Sequence, residues 1–388
     1  MKYDFDKLIN RADTNCVKYD LRKQVFGNPD VLPMWVADMD FETPDFVRKA
    51  VIERAEHPVY GYHFKDRPYF ESIAGWLKRR HQWEVPTEWM SFTPGVVCGF
   101  TMAVLAFTNP GDEIIIQSPV YPPFHHAVTS QGRKLVYNTL VDRGEGYEMN
   151  FDQLVEQAKT AKMLILCNPH NPVGRCWTRN ELLFLGEICM KNNLLVISDE
   201  IHCDLVLPGY HHLPFASLDK EFAQRSITFH AASKTFNLAG LATSTAIIPN
   251  EGLRKVYTDF VSNLEAHLGN IFGKVATQAA MTQGDEWLAQ LLDYVQGNID
   301  YVSDFLTANL PKVKFHKPQA TYMMWLDFNG YGLSEEDLWQ KMTQEAQLGF
   351  NRGKDFGIEG SGFFRINLAC PRSTVEEAMR RLKAVFVL

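Results

Sequence analysis

Short apolar runs alternate with helix-spaced segments through the middle of this chain, and that alternation limits its fold more than any other feature. Glu113–Ile116, Met163–Leu166, Leu194–Ile197, Ile227–Phe229 and Thr243–Ile248 are bounded by turn residues and read as strands buried on both faces. Gly95–Phe107, Phe151–Thr160 and Arg179–Asn192 have helical spacing, the last two with capping-type residues near their starts. Strands and helices in this order predict an α/β fold, a mainly parallel sheet flanked by helices.

The texture changes after about Met281. A long helical pattern over Glu286–Asn309 leads to an apolar run at Thr321–Asp327, then helix, strand and a closing helix from Thr374 onward, which predicts a smaller α+β unit. At 388 residues the chain exceeds what one core ordinarily serves. We expect residues 43–280 to form a large domain, and residues 1–42, an arm containing Pro29 and Pro33, to pack on a small domain of residues 281–388. The aromatic segment Trp76–Trp89 reads as an amphipathic helix and its exit, and Gly357, Gly360 and Gly362 read as turns.

Composition excludes several function classes. With 46% hydrophobic and 22% charged residues the chain is not disordered, and a net charge of -7 without a long basic run argues against nucleic acid or an anionic membrane as partner. The start lacks the apolar core of a secretory signal and no apolar run approaches bilayer length, so a cytoplasmic protein is expected. Seven cysteines without a CxxC pair suit reduced thiols. His125-His126 and His211-His212 are adjacent pairs that cannot share a face, so surface or loop positions and no metal site are expected.

Ligands of open parallel sheets collect where the strands end at their carboxyl side. CNPHNPVG (167–174), SDEIH (198–202) and SKT (233–235) each follow one of the predicted strands. Taken singly, these are a tight turn, a helix cap and a solvated loop. Together they suit pyridoxal phosphate (PLP): an amine in apolar surroundings, Lys234, to bond its aldehyde, and a carboxylate, Asp199, for its ring nitrogen. The turn Thr93-Pro94-Gly95-Val96-Val97 ahead of a helix, with the Ser233 hydroxyl, suits its phosphate.

SPVYPPF, CNPHNPVGR, SDEIHCDL, SKTFNLAG and FFRINLACPR resemble, in order and spacing over nearly the whole chain, the fold-type I PLP enzymes of the class I/II aminotransferase superfamily. LPMWVADMDFETP, YGYH, His202 and the ending GSGFFRINLACPR resemble the MalY/PatB-type cystathionine β-lyases within it. The resemblance implies the PLP-dependent transferase fold, with Lys234 as anchoring amine and proton shuttle and Asp199 as ring-nitrogen partner. It implies that Asn171 bonds the ring hydroxyl oxygen, that Tyr121 stacks on the ring, and that Val96, Val97 and Ser233 contact the phosphate. Arg365 would hold the substrate α-carboxylate, near Tyr121 and Asn171. Tyr62 would reach the cofactor phosphate of a neighbouring subunit, implying a homodimer with shared sites. Two departures stand out: position 242 is alanine where many aminotransferases carry a phosphate-binding arginine, and His202 stands where a tyrosine often contacts the ring hydroxyl. The implied activity is β-elimination from L-cystathionine or another S-substituted cysteine. Transamination by the same residues is the alternative, and a cofactor-binding regulator without turnover is a third.

Overall fold

The computed structural model describes residues 2–387. Strands β1 (Met90–Thr93), β2 (Glu113–Ile116), β3 (Lys134–Tyr137), β4 (Met163–Cys167), β5 (Leu195–Asp199), β6 (Ser226–His230) and β7 (Ser244–Ile247) form a seven-stranded sheet in the order β1-β7-β6-β5-β4-β2-β3. Successive side chains along a strand point to opposite faces, so each apolar run feeds two cores. Ile114, Ile116, Ile165 and Ile197 pack with Phe100, Ala103 and Val104 of the helix Val96–Phe107. Ile115, Leu164, Leu166 and Val196 pack on the other side with Leu154, Leu182 and Leu185 of the helices Phe151–Gln157 and Arg179–Lys191. The latter helix starts at a capping box between Thr178 and Glu181, which satisfies two free amides.

Several expectations change in detail. The run Thr243–Ile248 is a strand, but β7 is antiparallel to both of its neighbours, the other pairs being parallel. The edge strands β1 and β3 carry no apolar run in sequence; β3 in particular exposes Lys134 and Tyr137. The helix expected from Trp76 begins earlier, at Arg67, with the Asp66 side chain accepting from Tyr69 N, and ends at His81 where Gln82 turns left-handed. Only its last turns lie in the segment Trp76–Trp89.

A second, antiparallel sheet holds β8 (Lys314–Phe315), β9 (Met323–Asp327), β10 (Asn351–Arg352) and β11 (Phe363–Asn367) in the order β8-β9-β11-β10. The helices Asp285–Asn309 and Arg372–Phe386 pack behind it in a shared core. The arm lies against this region: Leu32–Pro33 pairs with Leu348–Gly349, Met34 O accepts from Asn367 N, and Asp40 N donates to Ala369 O. No described helix is long and apolar enough to cross a membrane.

Two glycines seat the start of the helix Val96–Phe107 on the sheet. Gly95 precedes it at φ +104, a conformation side chains disfavour, and a Cβ at Gly99 would stand 2.6 Å from the Phe229 ring. Ile197→Ala, which empties a fully buried position in β5, should cost about 2–5 kcal/mol in urea unfolding. Ile358→Ala, at a side chain 84% exposed, should stay within about 0.5 kcal/mol.

Candidate functional site

The carboxyl ends of β1, β4, β5 and β6 and the start of β7 lie along one edge of the large sheet, over a cavity of ≈ 440 Å³. Val96, Val97, Tyr121, Asn171, Asp199, His202, Ser233 and Lys234 all line it. One end is formed by the start of the helix Val96–Phe107. Its first i→i−4 bond is Gly99 N to Gly95 O, so the amides of Val96, Val97 and Cys98 have no partner within the helix and offer an anion site.

Lys234 sits in a single helical turn, Ala232–Thr235, immediately after β6. The turn is anchored from behind, where Thr235 Oγ1 donates to the buried Asp204 Oδ2 at 2.9 Å. The ammonium of Lys234 donates to the carbonyl of Ala37, 2.6 Å away. Burial and the like charge of Arg365 bring its pKa down to about 8, against the pull of Asp38 and Asp199. At the end of β5, Asp199 accepts from Ile201 N at 3.1 Å, and burial lifts its carboxyl to about 7. Burial, then the charges of Lys234 and Arg365, drive His202 well below its usual range, so its imidazole is neutral; its Nδ1 is buried without a partner.

Asn171 follows β4 in a turn closed by Gly174 N donating to His170 O at 2.9 Å. Arg365, on β11, does not itself line the cavity but stands behind Asn171. Its Nη1 donates to Asn171 Oδ1 at 2.8 Å, and its Nη2 donates to Trp35 O and Asn351 Oδ1 at 3.0 and 2.6 Å. Its Nε is buried and unpaired. Burial lowers its pKa to about 10. Tyr121 caps the start of the helix Pro122–Thr129, its hydroxyl pKa raised by burial and pulled back by Arg365. Tyr62 is away from this cavity, 96% exposed in an irregular segment.

The sequence did not reveal the part of the arm. Ala37 lines the cavity, and its carbonyl accepts from both Lys234 and the Tyr322 hydroxyl, 3.0 Å away. A main-chain acceptor leaves no side-chain signature, and Tyr322 stands in an apolar run that reads only as strand. Thr243 and Cys167 also line the cavity, as does Ala242, which brings no charge. The surface reading of the paired histidines fails for His212: it is buried, with Nε2 2.9 Å from Glu200. His81 and the adjacent pair Cys203 and Asp204, distant from it in sequence, bring ligand-type atoms within 4.8 Å of one another. Asp204 Oδ1 already takes Trp76 Nε1 and His81 Nε2, and Oδ2 takes Thr235, so the carboxylate is satisfied by side-chain donors.

The sequence model of the aminotransferase class I and II family matches residues 29–382. The chain belongs to this family. It is 43% identical over 98% of its length to the cystathionine β-lyase PatB of Bacillus subtilis (strain 168), covering 99% of that protein. A PLP-bound putative aminotransferase from Clostridium difficile 630 superposes with a TM-score of 0.98 at 41% identity, over 99% of this chain and 100% of that one. The PLP-bound C-S lyase of Staphylococcus hominis superposes with a TM-score of 0.94 at 34% identity, over 100% and 99%.

A lysine near 8 is a nucleophile at pH values where ordinary lysines are protonated. Borohydride trapping of Lys234 by a small aromatic aldehyde, followed by peptide mass spectrometry, should rise as pH climbs through about 8 and then level. An ordinary lysine would still be gaining reactivity near a pH of about 10.

Proposed function

We propose that this chain is a PLP-dependent carbon–sulfur β-lyase that converts L-cystathionine or a related S-substituted L-cysteine, with water, into a thiol, pyruvate and ammonia. The observation that carries the reading is the meeting of Lys234 and Asp199, with Asn171 and a helix start, on one cavity. The donor set fits PLP: free amides for a phosphate, a depressed lysine for an aldehyde, a buried carboxyl for a ring nitrogen, and a partnerless His202 Nδ1.

When bound, PLP supplies an aldehyde that bonds an amino group and a ring that draws electrons from the carbon beside it. Lys234 anchors that aldehyde and moves the substrate α-proton at Nζ, which is available as a neutral base once its proton is lost near 8. Asp199, lifted by burial to about 7 against the pull of Ile201 N and the Lys234 charge, would be held fully ionised by a protonated ring nitrogen and would keep the proton there. Arg365 occupies Asn171 Oδ1, which leaves the Asn171 Nδ2 free to donate to the ring hydroxyl oxygen. Tyr121 would face the ring, His202 would serve its hydroxyl side, and Val96, Val97 and Ser233, which line the same cavity, would hold the phosphate. Arg365, pinned by Trp35 and Asn351 and with Nε still unengaged, orients the substrate α-carboxylate.

Tyr62 of the partner subunit completes the phosphate site in a homodimer, which accounts for a tyrosine 96% exposed in the single chain. Residues 43–280 then form the cofactor domain, and residues 1–42 with 281–388 bring the carboxylate clamp. A cytoplasmic setting suits the seven unpaired cysteines. Transamination uses the same residues, and the structural likeness to a putative aminotransferase keeps it as the second reading.

Incubation with L-cystathionine should release pyruvate and thiol; efficient amino transfer to an oxo acid with no pyruvate would reverse the order of the two readings. Lys234→Ala should fold normally and lose at least about 10²-fold in pyruvate formation.

A further inference from the structure

A second cavity, of ≈ 750 Å³, adjoins the first and shares Ala37, Lys234 and Ala239 with it. Arm residues Val36 to Glu42 form much of its wall, and Arg48, in the first turns of the helix Asp45–Glu56, stands in it. Its charges are nearly all matched. Arg11 holds Asp38 and Asp40 at 2.6 Å each, and the buried Lys18 holds the same carboxylates at 3.3 and 2.9 Å. Glu42 is bonded by Lys7 at 2.5 Å. That contact first, with the more distant charge of Arg48, keeps Glu42 below its ordinary range. Among the described residues Arg48 makes no side-chain hydrogen bond or ion pair; it faces Glu42 only at a distance, and Glu42 is already bonded by Lys7, so, Lys234 apart, Arg48 is the lining cation left without a bonded counter-ion.

The substrate's α-carboxylate does not answer this charge, because Arg365 serves it from behind Asn171, and the phosphate belongs at the helix start in the first cavity. What remains is the group carried beyond the sulfur. A cavity of ≈ 750 Å³ is far larger than a short S-alkyl group needs. We propose that this second cavity receives the sulfur substituent and that Arg48 binds a carboxylate at its far end, so that the preferred substrates are thioethers with a distal carboxylate. The inference rests on the β-lyase reading. A guanidinium suits the task because its planar fork meets a carboxylate with two parallel hydrogen bonds. Arg48 is exposed, so water screens the pair and the preference is modest.

The test compares pyruvate release from L-cystathionine and from S-methyl-L-cysteine, which has no distal carboxylate, in the wild type and in Arg48→Gln and Arg48→Lys. Arg48→Gln should lower the ratio of kcat/KM for the two substrates about fivefold, chiefly through KM for L-cystathionine, and Arg48→Lys should recover part of it. Calorimetric titration of L-cystathionine into Lys234→Ala protein, with and without Arg48→Gln, reads binding apart from turnover and should weaken by a similar factor. An unchanged ratio together with unchanged binding overturns the Arg48 subsite. Absence of pyruvate from both substrates in the wild type, with the Arg48-dependent binding intact, overturns the lyase reading and leaves the subsite standing.

Discussion

Removal of water from a small set of charges governs this site. Lys234 is set among Arg365, Asp199 and Asp38 where solvent no longer stabilises an ammonium, and its pKa falls to about 8. The same burial raises Asp199 to about 7 and leaves His202 neutral. Burial thus brings the lysine and the carboxyl to within reach of neutral pH from opposite sides, and leaves the imidazole uncharged. A cationic ring bound beside Asp199 would tip its carboxyl to the charged form, where that charge has a use.

Position is maintained by a layer with no contact with the cavity. Burial alone would raise the Asp204 carboxyl, yet His230 and His81 hold it well below the ordinary range. That anion ties Thr235, the neighbour of Lys234, to Trp76 and His81 of the helix Arg67–His81. Removing such a carboxylate would strand three donors in a dry interior. On the opposite side the arm supplies Ala37 O to Lys234 and Trp35 O to Arg365. Lysine and arginine, distant in sequence, are therefore referenced to one stretch of main chain.

Lys234, Asp199 and Asn171 were legible because each closes a buried strand, and the end of an apolar run is visible in sequence. β1 and β3 were not: Ser91 and Thr93 interrupt the apolar pattern of β1 although the strand is largely buried, and β3 exposes Lys134 and Tyr137 at the sheet edge. The reversed direction of β7 was hidden for another reason: an apolar run has no polarity, and only its pairing with β1 and β6 reveals it. His212 looked like a loop residue because its partner, Glu200, lies far enough along the chain to form no local pattern. Arg365 could be named from its motif, but its seat behind Asn171 depends on β11 facing the end of β4.

Gly99 sets a dimension that no reactive group controls. With only a hydrogen at that position, the helix seats against Phe229 and Thr93 as deeply as their atoms permit. Because Phe229 belongs to the strand that leads into Lys234, the depth of this contact acts as a caliper, fixing the gap between the amide end of the helix and the reactive amine. The size of molecule the site admits is therefore gauged by the bulk of one aromatic ring in the sheet.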